Sequence, residues 1–173
     1  MSKHREMKPI EPPDSHYFGA AIGWLELGNP VEANEELKQI APELEGHPAV
    51  LALRYDIHAK SKDWERAVEA AGALVKAAPE ESIGWLSLAY ATRRNPGGGL
   101  PQAREILTQA QPKFPGQYLI PFNLACYECQ LGNLDTARKW LEKAFAAGDA
   151  KHMKRMALRD PDLEPMWKQI GKM

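Results

Sequence analysis

Cys126 and Cys129 form a C-x-x-C pair, a spacing at which two thiols can exchange disulfides or share a metal ion. Redox chemistry places its reactive thiol at a helix N-terminus, where the backbone dipole lowers the pKa. The flanking pattern puts this pair mid-helix, with nothing to hold a thiolate. Zinc needs two further Cys or His ligands, and the nearest in sequence, His152, is isolated. The pair is therefore read as two small, half-buried helix residues, with a thiol- or metal-dependent activity as the outlying alternative. His4, His16, His47, His58 and His152 are scattered, and no HExxH occurs. His58 shares a helical stripe with Leu51 and Tyr55 and is read as a hydrogen-bonded core histidine. Gly97-Gly98-Gly99 lacks the following Gly-Lys-Ser/Thr of a phosphate cradle. Glu35-Glu36 and Glu80-Glu81 fall at exposed helical positions and in first turns, where carboxylates are solvated and complement the helix dipole. These residues assign no catalytic, cofactor or metal site. The chain reads as a non-enzyme.

Composition narrows the class. The 173 residues carry 22 Lys plus Arg against 23 Asp plus Glu, a net charge of −1. That balance argues against a general binder of nucleic acid or membrane surface. Hydrophobic residues make up 44% and charged residues 26%, as in ordinary soluble domains. The longest apolar runs, such as residues 70–75, fall far short of the ~18 needed to span a bilayer. Two cysteines exclude a disulfide scaffold, and no apolar run follows Lys3, Arg5 and Lys8 to make a secretory signal. A cytoplasmic protein is the expectation.

The elements that position these residues repeat. Ala33, Ala67, Ala103 and Ala137 are separated by 34, 36 and 34 residues. Leu37, Ala71, Leu107 and Leu141 keep the same spacings, as do Ile40, Leu74, Ala110 and Ala144. Gly28 and Gly132 lie 104 apart, which is the same sum, and Pro79 and Pro115 lie 36 apart. A two-residue insertion at Asn95-Pro96-Gly97-Gly98-Gly99 accounts for the departure from 34. Each unit reads as two helices. The pattern predicts helices over 15–27 and 30–40 around Gly28-Asn29, and over 118–131 and 134–147 around Gly132-Asn133. Both turn residues tolerate positive φ, and Pro30 suits a first helical turn. The repeated alanines let paired helices approach closely.

These residues resemble the tetratricopeptide repeat family. The strongest segment is Asn123-Leu124-Ala125-Cys126-Tyr127 with Leu131-Gly132-Asn133, Ala137, Leu141 and Ala144. Trp85-Leu86-Ser87-Leu88-Ala89 with Ala103 and Pro115 follows closely. Two positions depart: Lys62 stands where the turn glycine is usual, and the first unit lacks the closing proline. The resemblance implies an all-α, right-handed superhelix of helix pairs with a concave binding groove. Four repeats fall at about 14–46, 47–79, 80–115 and 116–149. Residues 1–13, with Pro9, Pro12 and Pro13, read as an extended or disordered arm. A terminal helix at 150–158 precedes a break at Asp160-Pro161-Asp162. A capping helix then spans 163–170, with Leu163, Met166, Trp167 and Ile170 on one stripe.

The first helix of each unit is apolar on two faces, unlike an ordinary amphipathic helix. One face of the third unit carries Trp85, Leu88 and Ala89, and the other Ile83, Leu86 and Tyr90. The first unit sets Ala21 and Trp24 inward and Phe18, Ile22 and Leu25 outward. The fourth offers Leu119, Phe122 and Cys126, and the second Ala49, Ala52 and Asp56. Stacked, these second faces line the concave side. Either a partner or the chain's own arm or cap covers such a surface. The family's carboxylate clamp of Lys, Asn and Arg is not carried over. Phe18, Ile22, Ala52 and Asp56 stand at its positions, and Asn123 alone does not make one. The expectation is an interaction module binding an apolar or amphipathic peptide segment, with no cofactor, no nucleic acid and no membrane; a homodimer is compatible with it. The alternative is a chaperone shielding an apolar secretion or assembly substrate. In size and repeat use the chain also resembles class II chaperones of type III secretion. A second surface is basic: Lys151, Lys154, Arg155 and Arg159 contain no acid among them.

Overall fold

The computed structural model describes residues 9–173. Residues 1–8 of the expected arm lie outside the described residues. The described residues are helical, with no strand among them. They divide into two compact units, one up to Pro79 and one from Glu80 to Met173.

The first unit holds α1 (Asp14–Glu26), α2 (Pro30–Leu37), α3 (Pro48–Lys60) and α4 (Trp64–Ala77). α1 packs on α2, α2 on α3, and α3 on α4. Side-chain caps set the starts of α2, α3 and α4. The Asn29 carboxamide oxygen accepts the Glu32 N–H at 3.2 Å, and the Asp63 carboxylate accepts the Arg66 N–H at 3.3 Å. His47 Nδ1 accepts the Ala49 N–H at 3.2 Å, ahead of Pro48 in the first turn. α2 is shorter than the pattern predicts, and Pro42–Leu44 continues as a 3-10 turn. Ala33 and Ala67 have no exposed surface, as the repeat spacing requires of residues between paired backbones. The described end of the arm is not free: Ile10 packs against the core around Ala21, Leu37 and Ile57.

The second unit holds α5 (Ser82–Arg94), α6 (Leu100–Ala110), α7 (Leu119–Gln130), α8 (Leu134–Ala147) and α9 (Ala150–Ala157). A 3-10 segment, Pro161–Met166, and the single turn α10 (Trp167–Ile170) follow. Ala103, Leu107, Ala137, Leu141 and Ala144 are all fully buried. The insertion loop folds back on α5: the Gly99 N–H donates to the Thr92 carbonyl at 2.9 Å. A Cβ at Gly98 would meet that carbonyl oxygen at 2.2 Å, so only glycine fits there.

The expected capping helix takes a different form. Pro165 cannot donate a helical hydrogen bond, and the stretch forms a 3-10 segment before α10. Its stripe still does the expected work, since Leu163, Met166 and Ile170 are fully buried. Trp167 is half-buried, with its indole N–H donating to the Ala157 carbonyl at 3.1 Å.

Candidate functional site

In the first unit, α1 and α3 enclose an open hollow of about 510 Å³. Phe18, Ile22 and Leu25 of α1 and Ala49, Ala52 and Leu53 of α3 line it, with Glu26 and Asp56. Six residues expected on the groove face (Phe18, Ile22, Leu25, Ala49, Ala52 and Asp56) thus meet at one place. Leu53 and Glu26 complete it. Asp56 reaches solvent, yet its apolar neighbours thin its hydration and push its carboxyl above the usual range. Trp24 departs from expectation. It is 37% exposed rather than inward, while Ala21, Tyr17, Phe18 and Leu25 make the contacts of α1 with the core.

In the second unit the expected groove residues divide. On α5, Ile83 and Tyr90 are exposed, and the Arg94 guanidinium stacks 3.4 Å from the Tyr90 ring centre. Leu86 is half-buried against the unit's core, as is Trp85, under the Lys113 ammonium. On α7, Phe122 and Cys126 do not line a groove. They are 4% and 3% exposed, because the Pro161–Met166 segment packs on α7. Asn123 is turned into its own helix, donating to the Leu119 carbonyl at 2.8 Å. At α7 the chain therefore covers its own expected groove face.

Polar contacts pin that cover. Arg93 makes a two-pronged ion pair with Asp162; one prong, Nη2 to Oδ1, measures 2.8 Å. The Gln130 carboxamide donates to the Asp162 carbonyl at 2.9 Å, and the Cys126 thiol points at Asp160 Oδ2 at 3.7 Å. Arg93 also lies 5.4 Å from the Tyr127 ring centre. Burial, reinforced by Asp160 and Asp162, pushes the Cys126 thiol strongly upward, and burial also raises Cys129. Tyr127 is pushed up to about 12 by burial.

Donor atoms of Cys126, Asp160 and Asp162 lie within 4.8 Å of one another, a juxtaposition the C-x-x-C spacing did not reveal. These groups suit a metal poorly. Arg93 already holds Asp162 in a two-pronged ion pair, and the three residues fall one short of the four ligands of a closed zinc site.

His58 is half-buried rather than core. It lines a small hollow with Arg54, Arg66 and Glu69 between α3 and α4. Burial lowers its pKa, with the nearby carboxylate of Asp63 opposing. The basic cluster is also rearranged. Lys151, Arg155 and Arg159 are exposed, whereas the Lys154 ammonium donates to the Gly171 carbonyl at 2.9 Å.

No protein-family model matches the chain, and no curated protein matches it. Solved structures do. A thermophilic TPR protein of Thermus thermophilus, TTC0263, is 19% identical with a TM-score of 0.64, over 92% of this chain and 100% of that one. A fragment of MamA (41-end) from Desulfovibrio magneticus RS-1 is 18% identical with a TM-score of 0.42, over 80% and 97%. Among the described residues no helix is long and apolar enough to cross a membrane. The paired helices, the repeated buried alanines and the match to TTC0263 agree: the chain has the tetratricopeptide-repeat fold.

Proposed function

We propose that the chain is a non-catalytic protein-interaction module whose α1–α3 hollow takes a peptide segment with a bulky apolar anchor beside a Lys or Arg. The observation that carries this is the composition of the hollow. Six apolar side chains wall it, and its charged lining residues are the carboxylates Glu26 and Asp56. An apolar concavity with a few convergent polar groups is the usual form of a binding site. An anchor side chain that loses its exposed surface there gains about 1.5–3 kcal/mol. The carboxylates, with no cation lining the same hollow, favour a cationic neighbour and disfavour an acidic one.

A second reading rests on exposed apolar residues of α1, its C-terminal cap and the start of α2. Trp24, Leu27 and Val31 are 37%, 79% and 67% exposed, which suits a chaperone covering a longer apolar stretch. Peptide display separates the two. Selection on the wild type should enrich Phe, Leu or Trp within two residues of Lys or Arg. Asp56→Lys should remove the basic preference, and Ile22→Asp should abolish enrichment. Apolar peptides enriched without any basic residue would favour the chaperone. Enrichment unchanged in both variants would mean that the hollow is not the site.

A further inference from the structure

The second unit carries a separate surface of opposite character. Of the chain's ionisable residues, the first unit holds nine Lys or Arg against thirteen Asp or Glu, and the second thirteen against ten. The excess positive charge is concentrated on α9 and the turn after it. There His152, Arg155, Met156 and Arg159 enclose a hollow of about 230 Å³, and Lys151 stands one turn before Arg155. The opposite face of α9 buries Met153 and Ala157, so the cations are held outward by packing.

Two nearby carboxylates have structural roles. Asp149 caps α9, accepting the His152 N–H at 3.0 Å while its charge also acts on Arg155, and Asp162 is paired with Arg93. Asp160 accepts the Asp162 N–H at 2.9 Å. Among the described residues no ion pair involves Lys151, Arg155 or Arg159. Like charges at i, i+4, as at Lys151 and Arg155, weaken a helix, although a cation in the last turn of α9 meets the helix dipole favourably.

We propose that this face of α9 docks an acidic peptide segment in extended conformation, with carboxylates at alternate positions and an apolar side chain on Met156. The registers agree. Residues four apart on a helix are separated by about 6 Å along its axis. Side chains on one face of an extended strand repeat every ~6.6 Å. Carboxylates at alternate positions can therefore meet Lys151 and Arg155 in turn, with Arg159 beside Arg155 on the same hollow from the turn that follows the helix, and arginine pairs with a carboxylate through two parallel hydrogen bonds. A nucleic acid strand fits less well. No Phe, Tyr or Trp lines the hollow for base stacking, and the chain as a whole is not basic. This site is independent of the α1–α3 hollow.

Fluorescence anisotropy with a defined probe tests the proposal. The probe is a labelled, end-blocked peptide with three Glu at alternate positions and one Leu, and its comparator carries Gln for Glu. The full chain should bind the Glu peptide saturably, about tenfold or more tighter than the Gln peptide, and more weakly as salt rises. Arg155→Glu with Arg159→Glu should weaken binding by about tenfold or more without changing the melting temperature. Should that pair lose helicity, Arg155→Gln with Arg159→Gln must show the loss instead. Lys60→Glu, the same sign of charge change on α3 of the first unit, should leave binding within about twofold. Absence of saturable binding, equal binding of the Gln peptide, or undiminished binding by the paired variants would overturn the proposal. So would a thymidine oligonucleotide that binds more tightly than the peptide.

Discussion

Lys62 shows how much a single departure from a repeat pattern can reveal. Gly28 and Gly132 take φ of 80° and 82° in the turns of the first and fourth helix pairs, and Lys62 takes 58° in the second. The turn is kept without its glycine, because the Asp63 cap and the end of α3 fix the backbone on both sides. A side chain in the left-handed region costs roughly 1–2 kcal/mol, partly offset by the lower entropy of its unfolded state relative to glycine. Lys62→Gly should therefore stabilise the protein by about 0.5–1 kcal/mol, read as a higher urea midpoint with an unchanged slope. Gly132→Ala should move the midpoint the other way. An unchanged or lower midpoint in Lys62→Gly would show that the turn holds no strain to relieve. The sequence marked this position because a missing glycine breaks a period. It could not mark Asp162, whose importance lies in a partner 69 residues away.

At the scale of elements, the helix pairs were legible because each is written locally, in a period of buried alanines and in caps beside them. The cover over α7 was not. Its long-range pairing, Arg93 to Asp162, leaves no periodic trace. One signal was available, however. α7 is apolar on all sides, with nine of its twelve residues buried, and a helix of that kind belongs inside. α5, with exposed Ile83 and Tyr90, does not share it. The cover also explains the cysteines, which are 3% and 4% exposed beneath or beside it. Asp162→Asn removes the charge that Arg93 meets on a surface about one quarter exposed, and should cost about 1–3 kcal/mol. Deleting 161–173 removes three fully buried side chains worth roughly 1.5–3 kcal/mol each, a large share of a typical total of ~5–15 kcal/mol. Thiol titration under native conditions checks both. Cys126 and Cys129 should be almost unreactive in the wild type, faster in Asp162→Asn, and fully reactive in the truncated chain. Equal protection in all three proteins would mean that the segment does not cover α7.

At the scale of the whole molecule, each compact unit has its own core, and the two cores differ in kind. Among the described residues, thirteen buried apolar residues lie in the first unit, six of them alanine; the second has twenty, eight of them alanine and two cysteine. The larger side chains carry most of the burial energy, since each adds roughly 1.5–3 kcal/mol when fully removed from water. The first unit thus has seven such residues to hold four helices. The second has ten besides the two cysteines, together with the Arg93–Asp162 pair that closes the 161–166 segment onto α7. In repeat proteins stability is close to a sum of local terms, so such a difference is not averaged over the chain. A hollow walled by α1 and α3 also leaves apolar area exposed that a closed core would bury. Binding regions are drawn from the less stable parts of a structure. Hydrogen exchange across a urea series should therefore show amides of α1 and α2 losing protection at lower urea than those of α7 and α8. A peptide that occupies the α1–α3 hollow should raise the first midpoint and leave the second in place, because a ligand stabilises the state that it binds. A single midpoint shared by all four helices would show that the units unfold as one, and that the difference between their cores does not govern stability.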